Sequence, residues 1–531
     1  MRTIRSYLLL CLTILISGCG GGSSTSSSTP PPSSGGATST PPTSMLIIGT
    51  ITGFGSIYIG EVKYEIDNNT VVSIEGQTDV TGDDSNLAVG MKVRVRATEQ
   101  DNVRIATTIE FDEDLKGIIE AITPDSANST TGQILVLGQT VIIDDNTIFD
   151  NDVGNNDTDP TIDFRDLQLG MTVEISGYAL EGGFLASRID RLIDVNGLDK
   201  PLGDPDTDDD ELELKGTVEA VASDYSSITV NGVEFLVTAN TLLDNGLIVD
   251  NSLVGSYVEV SADLINNDYV ARKIELEDLF DDNDRESEFE IEGILQAIDS
   301  SSTPETITIN GIVIPVDSTA ALAEFIGHKI EVKGHINDAG VVVISGFEQE
   351  QEQSLKTEDM VTNINTTSGT LTTRLGFTIT PDGSSRLEDD ASDNSDHLTP
   401  DLFLSNLMTG DLIKAGAIKN NDDSYTWVRV KRTELAGEVD DASCELTGEV
   451  TQFNGDVNDF SMIIGGITIQ TSQVENHDFK DANEVVLGRS TFFNQLTTGV
   501  VVKAESFEGD THCQNGLLEA EKVEFDEPDD D

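Results

Sequence analysis

One short pattern recurs along this chain and limits what it can fold into. A glycine stands two residues before one apolar position and five before another: Gly49-Ile51-Phe54, Gly117-Ile119-Ile122, Gly216-Val218-Val221, Gly293-Leu295-Ile298 and Gly448-Val450-Phe453. A sixth copy, Asp359-Val361-Ile364, has aspartate in the glycine's place. A flat strand repeats its faces every second residue, so a spacing of two and then three predicts a bulge between the two apolar positions. A bent first strand suits a small closed barrel, and a pattern repeated at intervals points to stacked units rather than one large core.

The rest of each copy follows in order. Alternating apolar runs flank Gly60-Glu61, Leu137-Gly138, Asn231-Gly232, Asn310-Gly311, Leu375-Gly376 and Gly465-Gly466, each read as a tight hairpin. The Asn-Gly pairs are the strongest of these signals. An apolar stretch ending in Gly90, Gly170, Gly255, Gly327, Gly410 or Gly499 comes next. It reads as one helical turn stopped by a glycine at positive φ. Two further strands close the copy, with alanine three residues before a branched residue in Ala106-Ile109, Ala186-Ile189, Ala271-Ile274 and Ala520-Val523. Copies four and five depart here, with Ile344-Phe347 and a strand around Tyr425 to Val430.

The order strand, hairpin, helical turn, strand, strand predicts an all-β chain of six tandem five-stranded barrels, similar to the oligonucleotide/oligosaccharide-binding (OB) barrel. The alternative is a string of open five-stranded sheets packed edge to edge. The expected units are 46–114, 115–195, 212–280, 288–353, 354–436 and 437–527, with acidic linkers at 196–211 and 281–287 and an acidic tail at 528–531. Barrels this small bury only about 60% of the unfolded chain's surface, so each should lean on its neighbours. Apolar residues make up 37% of the sequence and aromatics 5%, which also argues for several small cores.

Residues 1–18 read as an export signal, in which Arg2 and Arg5 precede an apolar run, Tyr7 to Ile16, too short to span a bilayer. Ile16-Ser17-Gly18-Cys19 resembles the bacterial lipobox, which makes Cys19 a diacylglycerol attachment site. Gly20 in the next position resembles the signal for outer-membrane sorting, with either face open. A multiply acylated terminus anchors durably. Gly20 to Ser44 contains only Gly, Ser, Thr, Pro and one Ala, and residues 19–45 are expected to be a disordered tether reaching on the order of 25 to 30 Å. The remaining cysteines, Cys444 and Cys513, are most simply a disulfide in an oxidising compartment. Two free thiols or half of a metal site are the competing readings.

The first copy, Gly49 to Ile66, with Val89-Gly90-Met91-Lys92-Val93-Arg94-Val95 downstream, resembles a tandem-repeat bacterial lipoprotein family of unknown function, domain of unknown function 5666. The likeness spans most of 46–527, is strongest in copies one to three and weakest in copy five. It implies the barrel repeat and an envelope location, and no reaction.

Sites for chemistry are sparse. His328, His335, His397, His477 and His512 are scattered, with no i, i+4 pair of the kind that holds zinc on a helix. There is no Gly-x-Ser-x-Gly elbow. Gly53-Phe54-Gly55 lacks the Lys-Ser/Thr pair of a phosphate loop and reads as turn chemistry. Trp427, in an alternating strand, reads as packing. Asp204, Asp206, Asp208 and Asp210 place carboxylates on alternate residues, a pattern that can wrap calcium, and Asp150 to Asp159 and Asp281 to Asp284 are similarly dense. Acidic linkers are also commonly just solvated. No other cofactor is expected.

Acidic residues number 97 against 30 Lys plus Arg, a net charge of −67, which works against binding a phosphate backbone. The leading expectation is a non-enzymatic envelope lipoprotein that binds protein, polysaccharide or itself, since tandem modules multiply weak contacts. The alternatives are an acidic spacer, calcium-stabilised or not, and a hydrolase using paired carboxylates.

Overall fold

The first strand of each copy forms where the glycine motif predicts it, and it bends there. These strands are Thr43–Phe54, Leu115–Pro124, Leu212–Val221, Glu288–Asp299, Leu355–Asn365 and Glu445–Asp456. In all six, the register against the second strand slips once, between Ile51 and Gly53, Ile119 and Ala121, Val218 and Ala220, Leu295 and Ala297, Val361 and Asn363, and Val450 and Gln452. Each slip lies between the motif's two apolar positions. The residue before it is fully buried, and the bend carries the strand from one neighbour to another. The computed structural model describes residues 43–526 except 75–76, 79–80, 127–128, 153–161, 194–197, 203–210, 278, 281–283, 352, 392–396, 438, 440–442, 457–458 and 510.

The rings close. In the second copy, Leu115–Pro124 pairs with Gly132–Val136, which pairs with Gln139–Ile143. That strand runs parallel to Gly183–Leu192, which pairs with Thr172–Leu180, which returns to Leu115–Pro124. The order is first, second, third, fifth, fourth and back to first, an OB-like barrel without free edges. Copies three, four and six repeat these pairings. Copy one joins its third and fifth strands through Glu65, whose amide bonds the Arg104 carbonyl at 2.8 Å and whose carbonyl takes the Ala106 amide at 2.9 Å. In copy five the third strand, Thr378–Ile379, pairs only with the second, and the last strand, Tyr425–Glu434, has Arg386–Asp389 as its parallel partner.

A second pairing joins the barrels in twos, one of the three pairs out of sequence order. Met45 to Ile48 run parallel to Glu288 to Ile291, joining the first barrel to the fourth. Leu115 and Lys116 pair with Glu213 and Leu214, joining the second to the third. Leu355 to Glu358 pair with Glu445 to Gly448, joining the fifth to the sixth. Every first strand therefore lies on a seam with another first strand, and the three seams give three large sheets. Both expectations are thus partly present: the sheets are closed, and they also meet edge to edge. The second–third and fifth–sixth pairs each share one apolar cluster, whereas the first and fourth barrels have their own.

Two local readings differ from expectation. The connecting glycines have positive φ as anticipated, between 88° and 99°, but they do not end a helix. The helical turns stop earlier, at Asp166, Leu253, Phe325, Asn406 and Gln495, and copy one has only turns at this point. Each glycine amide instead donates to the carbonyl of the buried residue at the first strand's bulge: Gly90 to Ile51, Gly170 to Ile119, Gly255 to Val218, Gly327 to Leu295, Gly410 to Val361 and Gly499 to Val450, at 2.8 or 2.9 Å. The glycine thus satisfies a carbonyl that the slipped ladder leaves unpaired. The other difference is Leu375-Gly376. Pairing stops at Thr372 and Thr378, so a five-residue loop replaces the expected two-residue turn.

Candidate functional site: polar seams between the barrels

Many buried charged side chains collect where barrels meet, although the Arg432 pair with Asp389 and Asp411 lies inside the fifth barrel. Between the first and second, Lys92 donates to Asp114 Oδ1 and to the Gly177 carbonyl at 2.8 Å, while the Gly177 amide donates to Asp114 Oδ2 at 2.9 Å. Arg188 reaches across to the Val89 carbonyl at 3.1 Å and pairs with Asp150 at 2.7 Å. Asp150 is the start of one acidic run singled out above, so part of that run serves as a counter-ion.

Where the first, second and fourth barrels converge, the Tyr178 hydroxyl donates to Glu292 Oε1 at 2.5 Å and lies against Thr50 Oγ1. Lys329 Nζ sits 2.7 Å from Glu292 and 4.3 Å above the Tyr178 ring. Burial, and then the Glu292 charge, raise the Tyr178 phenol well above its ordinary value, so it stays a donor. Glu292 is held below the usual carboxylate range, because Lys329 and the Tyr178 hydrogen bond outweigh its burial.

On the second–third seam, Lys215 pairs with Glu259 at 3.3 Å and donates to the Asp112 carbonyl at 3.2 Å. Burial pushes Glu259 up to about 8 and Asp112 up to about 6. On the first–fourth seam, Arg96 grips Asp284 with two bonds, at 2.9 and 3.2 Å. The second and fifth barrels meet through Arg429, which holds Glu388 at 2.8 and 3.1 Å and also touches the Asp145 carbonyl.

One position of the repeat is acidic in four copies. Asp114, Glu213, Glu290 and Glu445 each stand three residues before their motif glycine, on or just before the part of the first strand that faces another barrel. The sequence reading did not single them out; the signal available was a charged residue at one fixed offset in an otherwise apolar run. The arrangement docks barrels, and its chemistry is to match charges across seams where water is largely excluded.

The sequence-derived candidates fall in different places. Cys19 and the segment Asp204, Asp206, Asp208 and Asp210 lie outside the described residues, as do most of Asp281 to Asp284. Cys444 and Cys513 are bonded to one another, with Cα atoms 6.3 Å apart. Both are buried, and the Ser506 hydroxyl accepts from the Cys444 amide at 2.8 Å. Trp427 packs edge-on against Phe377 inside the fifth barrel. His397 packs at a tilt against Phe54 and contacts the Asp84 carbonyl through Nε2 at 2.7 Å. His512 pairs with Glu519 at 2.8 Å, and His328 lies 3.3 Å from Gln349. His477 comes together with Glu475 and Asp478 on an exposed turn, their ligand-type atoms within 4.8 Å. A search for i, i+4 histidines passes over that group; a scan for mixed carboxylate and imidazole within four residues finds it.

No curated protein matches the sequence. Among solved structures, one titled drosophila Unr CSD456 aligns at 13% identity over 45% of this chain and 99% of its own, with a TM-score of 0.13, a likeness that carries no argument. Residues 47–110, 116–190 and 215–275 match the model of a domain described as Domain of unknown function (DUF5666), and these segments fall within the first three barrels. The chain is a tandem-repeat protein, three of whose modules are similar to this domain of unknown function.

Proposed function

We propose that this is a non-enzymatic lipoprotein of the bacterial outer membrane, a body of docked β-barrels held on a lipid-modified Cys19 and binding envelope protein, polysaccharide or itself. The observation that carries the reading is the use made of the buried ionisable side chains. Lys92 and Arg188 join the first and second barrels, Glu292 and Lys329 reach Tyr178 of the second barrel from the fourth, and Arg429 reaches the Asp145 carbonyl from the fifth. The lipobox-like Ile16 to Cys19 and the uncharged segment to Ser44 support the anchor. The net charge of −67 supports partners other than nucleic acid.

Mass spectrometry of the mature N-terminal peptide tests the anchor: a diacylated Cys19 is expected, and an unmodified Cys19 overturns it. Protease treatment of intact cells, read as loss of the region after Ser44, assigns the face. Crosslinking on cells separates a binder, which yields a defined partner, from an acidic spacer, which yields none. Calcium enters the proposal as a stabiliser on Asp204 to Asp210. Its test is a melting temperature that rises with millimolar calcium and returns with chelator at matched ionic strength.

A further inference from the structure

Glu213 and Glu290 occupy the same place in two barrels, three residues before Gly216 and Gly293, and each faces a second carboxyl group on a seam. Glu213 lies in register with Lys116 of the second barrel, and its carboxyl meets that of Glu113. Glu290 lies in register with Ile47 of the first barrel, and its carboxyl meets that of Glu331. Glu113, Glu213 and Glu290 are all under one-tenth exposed. Glu113 Oε2 and Glu290 Oε1 are buried without a hydrogen-bond partner.

The neighbouring cations are shared. Lys116 Nζ sits 3.3 Å from Glu113 Oε1 and 3.0 Å from Glu174. Lys333 lies 2.6 Å from Glu331 but 3.9 Å from Glu290, and Arg104 is bound to Glu99 at 2.8 Å. Two ionised carboxylates in contact away from water repel strongly, and a single proton between them turns the contact into a hydrogen bond.

We infer that a proton is a structural part of the second–third seam, shared between Glu213 and Glu113 across it, and that a second proton is shared between Glu290 and Glu331 on neighbouring strands of the fourth barrel where that barrel meets the first, so that alkaline conditions loosen the second–third docking and the fourth barrel's docked face. The surrounding charges agree. Glu213 faces Glu113 and Lys116 from the second barrel and Glu259 from its own, and burial followed by the Glu113 charge raises it well above the ordinary value. Glu290 faces Tyr64 and Arg104 from the first barrel and Glu331 and Lys333 from its own, and burial followed by Glu331 pushes it up to about 8. Glu113 is held low despite its burial, by the hydrogen bond from Glu213 and by Lys116 and Lys215. The folded chain therefore binds protons that the unfolded chain has lost. Stability is full below the unfolded carboxyl range and falls as pH rises from about 4.5 through about 8.

The test compares thermal melts of the full chain at about pH 6 and about pH 9 with those of the Glu213→Gln/Glu290→Gln variant, with Glu181→Gln, in an exposed turn, as control. The natural chain should melt lower at the alkaline pH, the control should follow it, and the double variant should lose part of that drop, because glutamine supplies the donor at every pH while Glu259, also raised by burial, still titrates in this range. A natural chain with equal melts, or a double variant that falls as far as the natural chain, overturns the inference. Should the double variant not fold, infrared spectra of the natural chain and of Glu213→Gln alone decide. A protonated-carboxyl band at about pH 6.5 that is lost by about pH 9 and is weaker in Glu213→Gln supports the shared proton, and a band of equal strength in both, or none in the natural chain, removes it.

Discussion

Leu46 and Ile47 are consecutive in the chain and belong to different hydrophobic cores. Ile47 points into the first barrel, and Leu46 into the fourth, where it packs with Phe289, Ile291 and Leu295. This is possible because the strand pairs on both edges, with Lys92–Gln100 of its own barrel and with Glu288–Asp299 of the fourth. Both faces of Met45 to Ile48 are therefore buried, which explains four apolar residues in a row where an ordinary barrel strand alternates.

Leu46→Ala should for that reason damage a barrel about 240 residues away in sequence. The loss expected for a fully buried leucine is about 2 to 5 kcal/mol. Hydrogen exchange should rise in Glu288–Asp299 as well as in Thr43–Phe54. Protection unchanged in the fourth barrel would show that the seam contributes nothing to it.

Gly293→Ala probes why the motif begins with glycine. The Asn310 side chain of the following hairpin lies across this position, its Nδ2 donating to the Glu292 carbonyl at 2.9 Å, and an added Cβ would meet Asn310 atoms at 2.3 to 2.5 Å. Gly216 stands in the same relation to Asn231, whose Oδ1 accepts from the Thr217 amide at 3.0 Å. Crowding of this kind costs about 1 to 3 kcal/mol. A lowered urea midpoint with unchanged m is expected, and Gly293→Ala/Asn310→Gly should recover part of it.

Cys444→Ser with Cys513→Ser removes a link between residues 69 apart in sequence. In the chain-entropy model such a loop is worth about 4 kcal/mol. The bridge also serves the fifth barrel, because Arg374 Nη2 bonds the Ser443 carbonyl at 2.9 Å and the Asn515 amide bonds the Arg374 carbonyl at 2.9 Å. The melting temperature should drop on substitution or on reduction under denaturing conditions. Equal melts with and without the bridge would contradict its role.

Much of this architecture could be read from the residues, because bulges, primed hairpins and positive-φ glycines are local demands that only a few side chains meet. The motif glycine marks both the bulge and the hairpin crossing, and the connecting glycine recurs even where the helix before it does not. What could not be read was the order of docking, first on fourth and second on third, since a seam depends on surfaces brought together from distant sequence. Asp359 shows the same limit. It stands where five copies have glycine, and it appeared as a defect in the repeat. In the folded chain its carboxylate takes the Leu375 amide at 2.7 Å and Arg374 Nε at 2.9 Å, and through Arg374 it reaches the sixth barrel.

The fifth barrel, at the face it turns to the second, should weaken in acid, in the direction opposite to the proton-holding seams. Glu388 is buried, which opposes its ionisation, but Arg386, Arg429 and Lys431 outweigh that and hold it well below the usual carboxylate range. A carboxyl with a depressed folded value contributes stability above its unfolded value, about 4.5, and loses that contribution as the pH falls toward the folded one. Glu388→Gln leaves three cations facing a neutral amide, a loss of about 3 to 5 kcal/mol at neutral pH if the pair is broken as buried pairs usually are. Trp427, two residues before Arg429, is the chain's single tryptophan and reports unfolding of this barrel directly. Urea midpoints by its fluorescence should differ between variant and natural chain at about pH 7 and draw together below about pH 4, because protonation then removes from the natural chain what the substitution already removed. A gap of constant size across that range would mean that the variant acts through packing, and that the Glu388 charge does not stabilise the fifth barrel.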